Sequence, residues 1–490
     1  MRGHTRMSFP RTRESSRRIP RWIAAFASAA IAATFVAIPA NAQSSGQPDE
    51  ALFRSIYKEL VEINTTESSG DTFVAASAMA RRFIDAGFPE ADVHVLSSGP
   101  RKGNMVARLR GLGAKKPMLL MAHMDVVEAK REDWAFDPFT LQETDGFFRA
   151  RGSIDDKAMA AIFVATLIRM KAEGARPDRD IILALTTDEE LADSPHDGTH
   201  WLLENHRNLI DAEFSLNEGG GGTLRDGKPV SSNIQLAEKV YRSFRLEVKD
   251  PGGHSALPRR DNAITKLAEG LVRIADYEFP ARLNPVTAAY MQIVTRLDAP
   301  DVKAAFAALA AGDKRPEVLA PLSKRPGYNA QIRTTCVATM LEAGHAENAL
   351  AQTARATINC RLLPDESPED VQRRLQKAVA DDKIAVMPLG TVVDSPASPM
   401  SPEIIAAVQD IAGDLWPGVP VIPTQSGGYT DSRWLRKYGV PAYGVSGIFS
   451  EEGKSGVHGL NEQVGVKQLF DGKAFLYRLV KRLSGAEKQG

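Results

Sequence analysis

The chain is short of cysteine. Only Cys336 and Cys360 occur among 490 residues, so a zinc site built on thiolates is excluded and any metal must be held by His, Asp and Glu. It also lacks a surplus of either charge. Its 61 basic residues balance 61 acidic ones, which removes nucleic acid and anionic membrane surfaces as expected partners. Long apolar runs are scarce. The run over 23–38 comes after a basic stretch at 2–21 and precedes the small-residue pattern Ala40-Asn41-Ala42. It is short for a membrane span and reads as part of a secretory signal peptide over 1–42, with periplasmic export and no stable membrane span after cleavage. Ser16-Arg17-Arg18 hints at twin-arginine export, although Pro20 stands close behind, and Met7 is an alternative start. The chain beyond residue 42 is long enough for more than one hydrophobic core.

The stretch around which the rest is organised is Leu119-Leu120-Met121-Ala122-His123-Met124-Asp125. The apolar run predicts a buried strand, with His123 and Asp125 at its carboxyl end, where open α/β sheets bind ligands. Residues i and i+2 of an extended segment point the same way, so the Asp125 carboxylate is expected to reach one imidazole nitrogen of His123. That is the setting of a metal-bound histidine, and also of a strand-end histidine simply satisfied by an acid. Helices are predicted over 50–63 and 72–86, and short strands over 93–96 and 104–109. Such alternation argues for a layered α/β domain.

Other strand ends repeat the pattern. Ala150-Arg151-Gly152-Ser153-Ile154-Asp155-Asp156-Lys157 leads into a helix predicted over 158–170. Acids there suit helix capping, or a metal ligand at Asp155. The run 180–187 ends in Asp188-Glu189-Glu190, three adjacent carboxylates that need cations or solvent to compensate them. The run 212–217 is followed by Glu218 and four glycines, Gly219 to Gly222, which let the backbone approach something closely. After a strand at 442–446 comes Gly456-Val457-His458-Gly459. His123, Asp155, Glu190, Glu218 and His458 form a donor set suited to two divalent cations bridged by a carboxylate, with zinc the first expectation. His196 and His200 lie four apart but lack the acid of a zincin motif, and they read as structural or exposed.

Taken in order, His-x-Asp at 123–125, "DPF" at 137–139, "RGSIDDK" at 151–157, "TTDEE" at 186–190, "NEGG" at 217–220, "GGHSALP" at 252–258 and "VHGLNE" at 457–462 resemble the M20 family of zinc peptidases and amidohydrolases (M20/M25/M40). The branch most resembled is that of carboxypeptidase S and the N-acyl-amino-acid hydrolases. The resemblance implies that His123 and Glu190 are terminal ligands of opposite metals, that Asp155 bridges them, and that Glu218 and His458 complete the two sites. It implies that Asp125 orients His123 and that Glu189 is the general base. It also implies hydrolysis of an amide bond beside a free carboxylate, as in a carboxypeptidase or dipeptidase. An aminoacylase-type reaction on N-acyl amino acids is the alternative, and a non-catalytic metal- or peptide-binding protein is the reading from another class. Ala150 and Ala158 stand where the family usually carries glycine, which bears on turn geometry and removes no ligand.

Residues 239–393 read as an inserted domain between catalytic segments 43–238 and 394–490. Strands predicted at 242–248, 333–341, 354–362 and 384–387, with helices at 262–274 and 368–379, give the βαββαβ order of a ferredoxin-like sheet. A piece rich in Ala and Pro, 284–328, interrupts it and reads as a helical insertion. The expected fold is therefore α/β, a zinc-peptidase catalytic domain with a central mixed sheet flanked by helices, plus that inserted domain. The resemblance makes the insert a lid and the site of homodimer contact. It makes His254 a donor to the oxyanion, with reach toward the site of a partner subunit, Arg361 the grip on the substrate carboxylate, and Gly428 and Thr430 part of a substrate-side loop. If the hairpin centres near Asn348, Cys336 faces Cys360 within disulfide reach, whereas a shift of one residue separates them.

Overall fold

The computed structural model describes residues 48–486 apart from 192, 295–298 and 452, so the leader expected over 1–42 lies outside the described residues. The organising strand, Met118–His123, is buried along its whole length. It runs parallel to Ile181–Thr186 on one side and to Phe214–Asn217 on the other, and Phe214–Asn217 is parallel to Ala442–Gly444. Buried parallel strands carry continuous apolar sequence, as "MLLMA" and "IILAL" do. Period-two alternation then splits the strand between two cores. Leu120 packs with Phe53, Phe163 and Phe475 on one face, while Leu119 and Met121 pack with Leu202 and Leu435 on the other.

The helix Lys157–Ala172 is buried nearly all round, as its lack of a polar face demands. Antiparallel strands Val93–Gly99 and Lys102–Leu109 extend the sheet at one edge. Lys228–Glu238, Gly222–Arg225 and Phe449–Glu451 extend it at the other, with Val421–Ser426 paired parallel to Lys228–Glu238. This mixed sheet flanked by helices is the α/β architecture expected. His123 lies opposite Thr186, and Asn217 opposite Gly444, so the carboxyl ends of four parallel strands lie side by side.

A second, antiparallel sheet has the order Thr335–Ala343, Thr353–Leu362, Val240–Lys249, Ile384–Leu389. Helices Ala263–Asp276 and Pro368–Val379 pack against it through Leu267, Val371 and Leu375. Its chain order is βαββαβ, with a short additional pairing of Gly253–His254 with Ala349–Leu350. Strict alternation of burial along Thr353–Leu362 fixes the register, and in that register Cys336 opposes Cys360 and the two form a disulfide.

The interrupting piece is helical, as its composition suggested, and among its described residues each of four helices starts at a proline: Pro285–Val294, Pro300–Ala310, Pro316–Ser323 and Pro326–Ile332. Proline suits the first turn, where its missing N–H is not needed. The helices share a core of Met291, Val302, Phe306, Leu322 and Ile332. Both ends of this piece hold one residue of the strand Val421–Ser426. Asn284 Nδ2 donates to Gln425 Oε1 at 2.7 Å, and Gln331 Nε2 donates to the Gln425 carbonyl at 2.9 Å. No helix among the described residues is long and apolar enough to cross a membrane.

Candidate active site

The strand ends bring His123, Asp155, Glu190, Glu218 and His458 together. His123 is buried, and its Nδ1 lies 3.0 Å from the Asp125 carbonyl. A carbonyl only accepts, so Nδ1 carries a proton and Nε2 faces the acids. That Nε2 is 3.1 Å from Asp155 Oδ1 and 3.7 Å from Glu218 Oε2. From the other side, His458 Nε2 is 3.2 Å from Asp155 Oδ2 and 2.9 Å from Glu190 Oε2. Asp155 thus has one oxygen toward each imidazole.

Asp125 works differently from the expectation drawn from strand periodicity. Its carboxylate is 3.7 Å from His123 Nδ1, beyond hydrogen-bonding distance, and the backbone carbonyl holds the ring instead. The strand ends at His123, so the period-two rule no longer governs Asp125. The carboxylate accepts the backbone N–H of Glu189 at 3.2 Å and of Glu190 at 3.1 Å.

The acidic triplet is divided among three tasks. Asp188, in the left-handed region at φ 60°, turns away to pair with Lys102 at 2.7 Å and to accept from Ser194 Oγ at 2.6 Å. Glu190 faces His458. Glu189 is buried, and its Oε1 takes no hydrogen bond among the described residues. Burial, with repulsion from Glu218, pushes the Glu189 carboxyl well above the usual carboxylate range. Burial also pushes Glu218 up to about 7. Hydrogen bonds to Asp155 and Glu190 raise His458 to about 10.

Two further acids complete the site and were not singled out from sequence. Glu462 is fully buried and accepts the N–H groups of Gly152 at 2.9 Å, Ile154 at 2.8 Å and Asp155 at 3.2 Å, with Arg151 Nη1 at 2.7 Å. It ties the loop of His458 to the turn of Asp155. The signal for it was its place at the end of "VHGLNE". Asp156 is buried, and its carboxylate lies with His123 and Glu218 in a group whose donor atoms are within 4.8 Å of one another; His123, Asp155 and Glu190 form a second such group. Carboxylates converging on imidazole lone pairs repel unless protons or cations lie between them, and an N/O donor set of this kind fits divalent metal ions.

The remaining expected residues have other partners. His254 is exposed, and its Nδ1 accepts from Ala256 N at 3.0 Å within its own turn. Arg361 donates to the Gly427 carbonyl at 3.2 Å and lies over the Tyr241 ring at 4.8 Å. Gly428 N bonds Ser426 Oγ at 3.1 Å. Thr430 is buried with its hydroxyl committed internally, donating to Glu238 at 2.6 Å and accepting from Asn217 at 3.2 Å and Ser432 N at 3.1 Å. His196 and His200 are structural: His196 bonds the Ser98 carbonyl at 2.6 Å, and His200 stacks on Trp434 at 3.8 Å. A cavity of about 520 Å³ opens beside Tyr429 and Arg433, both of which lie in the field of Glu189.

A mixed sheet with acids and imidazoles converging at the ends of its parallel strands defines a metallohydrolase. Residues 119–482 match the model of peptidase family M20/M25/M40, and the chain belongs to that family. It is 29% identical over 361 residues to the N-fatty-acyl-amino acid synthase/hydrolase PM20D1 of Xenopus tropicalis, covering 71% of this chain and 69% of that one. It is 26% identical over 409 residues to the probable carboxypeptidase S-like 2 of Dictyostelium discoideum, covering 81% and 78%. Among solved structures, an M20 family metallo-carboxypeptidase from Sulfolobus solfataricus superposes with a TM-score of 0.63 at 18% identity, covering 88% of this chain and 98% of that one. M20 peptidases are dinuclear metal enzymes, and this chain is a metal-dependent amide hydrolase.

Proposed function

We propose that the chain cleaves an amide bond next to a free carboxylate in a small peptide or N-acyl amino acid, with Glu189 as general base. The observation that carries this is Glu189 itself, a buried carboxyl with an uncommitted oxygen, held by Asp125 beside the converging donors. His123 and Glu218 would hold one ion, Glu190 and His458 the other, and Asp155 both. Two imidazoles among carboxylates favour zinc. Such ions, when bound, polarise a carbonyl and make water more acidic.

The residues then do the rest. Glu189 takes a proton from the attacking water and returns it to the leaving amine, and its raised proton affinity suits that shuttle. Asp125 keeps Glu189 and Glu190 facing different ways. Arg361 is the candidate grip for the substrate carboxylate, because a planar guanidinium matches it in two-pronged fashion.

His254, exposed in the short pairing of Gly253–His254 with Ala349–Leu350, is the candidate oxyanion donor if this segment acts as a lid and reaches a partner's site. The edge strand Thr335–Ala343 exposes Val337, Met340 and Leu341, which supports a homodimer through this sheet. The basic and apolar leader and the disulfide both support a periplasmic enzyme.

The relatives' names include both carboxypeptidase and N-fatty-acyl-amino acid hydrolase, so dipeptides and N-acyl amino acids are both expected substrates. The test is hydrolysis of each alongside its C-terminal amide. Free acids are expected to be cleaved and amides spared; equal cleavage of the amides would overturn the carboxylate requirement.

A further inference from the structure

The two residues that flank Glu218 in sequence are both held through one buried carboxylate, that of Glu238. Glu238 Oε1 accepts the Thr430 hydroxyl at 2.6 Å and Gln235 Nε2 at 2.9 Å. Arg436 Nη1 lies 3.1 Å from Glu238 Oε2. On the near side of Glu218, Asn217 Nδ2 donates to Thr430 Oγ1 at 3.2 Å and to Ser432 Oγ at 3.0 Å. On the far side, Gly219 stands at φ 100°, and a Cβ there would lie 2.8 Å from Gln235 Oε1. The Gln235 side chain therefore packs directly on the Gly219 backbone. Thr430 reaches the residue before the metal-facing acid, and Gln235 the residue after it.

The Thr430 hydroxyl has nothing left to offer a substrate. A hydroxyl supplies one proton and two lone pairs. Its proton goes to Glu238, and its lone pairs take Asn217 Nδ2 and, at 3.1 Å, the Ser432 N–H. Arg436 closes the network from behind. Its Nη2 donates to the Ala442 carbonyl at 3.0 Å, in the strand paired with Phe214–Asn217. Asn217, Glu238 and Arg436 are all buried. A buried ion pair is tolerable only while its hydrogen-bonding partners stay in place, and such networks stiffen the backbone they touch. His458 hangs on a different anchor, since its loop is tied to the turn of Asp155 by Glu462.

We infer that Thr430, Gln235 and Glu238 are positioning residues for Glu218, and that through it they set the affinity of one of the two metal ions and not the other. Thr430 then acts on Asn217 and Glu238 and makes no contact with substrate. The inference rests on the proposed role of Glu218 as a ligand of the ion it shares with His123.

The experiment is Zn²⁺ calorimetry on Thr430→Val and Thr430→Ser, each placed in two single-ion backgrounds. His458→Ala leaves the ion of His123 and Glu218, and His123→Ala leaves the ion of Glu190 and His458. Thr430→Val keeps the shape of the side chain and removes its hydroxyl. It is expected to weaken zinc about 10–100-fold in the first background, the usual effect of losing a partner behind a metal ligand, and to leave zinc binding in the second as it was. Thr430→Ser keeps the hydroxyl and is expected to bind zinc as its parent does. Equal weakening in both backgrounds overturns the inference, because the network is then a general brace. No weakening in either overturns it too. Gln235→Met removes the hydrogen bond to Glu238 from the other side. It carries the same expectation and decides the matter if Thr430→Val does not fold. Glu218→Gln in the His458→Ala background tests the ligand assignment separately. Unchanged zinc affinity there ends that assignment and the inference with it. Weakened zinc there, with Thr430→Val unchanged, ends the inference alone.

Discussion

The carboxylate of Asp125 accepts the backbone N–H of Glu189 at 3.2 Å. With the matching bond to Glu190 N at 3.1 Å, it fixes the direction in which each of the two acids leaves the chain. Asp125→Asn keeps one acceptor and turns an amide donor against an N–H. The expected result is a fall in kcat of about 10–100-fold, the usual effect of removing a supporting group behind a metal site. Steady-state kinetics with metal content measured in parallel checks it; unchanged kcat would remove Asp125 from the account.

Metal loading should release protons. In the metal-free protein His458 holds its proton up to about pH 10, and His123 is also raised well above its ordinary value by its neighbouring acids, despite burial acting the other way. Ligation needs neutral imidazoles, so both must deprotonate as metal binds. Affinity is therefore expected to fall as pH falls, more steeply below pH 7, where Glu218 also gains its proton. Calorimetric heats that depend on buffer ionisation would show the release. Buffer-independent heats would contradict the ligand set.

The disulfide closes a loop between residues 24 apart in sequence. A loop of this size predicts a loss of about 3 kcal/mol when Cys336 and Cys360 are both replaced by Ser. Denaturant unfolding measures it. Metal content should be unchanged, because the bond lies in the second sheet, away from the donors.

The helical piece bears on the loop after Gln425, which carries Gly427, Tyr429 and Thr430. Gln331→Met removes the donor to the Gln425 carbonyl with little change of shape. A net loss of about 1 kcal/mol is expected, read as a rise in KM of about fivefold with kcat held. A fall in melting temperature with no change in KM would make the contact purely structural.

Much of this was legible because each donor residue comes after an apolar run or a tight turn. "MLLMA" before His123, "IILALT" before Glu190 and "FSLN" before Glu218 are strands whose parallel pairing aligns their ends. The cysteine pairing was legible through the symmetry of the hairpin about residue 348. The features that escaped sequence reading depend on partners far along the chain. Glu462 binds backbone N–H groups more than three hundred residues away. Asp188 leaves its acidic triplet because Lys102 waits on another strand. Asp125 escaped for a local reason: the strand stops two residues before it, so its side chain no longer follows the alternation.

The most direct measurement is turnover by wild type and Glu189→Gln on a mixed panel of dipeptides and N-acyl amino acids, with metals assayed on both. The account predicts that the variant keeps its metals and loses about 10²–10⁴-fold or more in kcat, the range expected for a general base. A variant as active as wild type would contradict it.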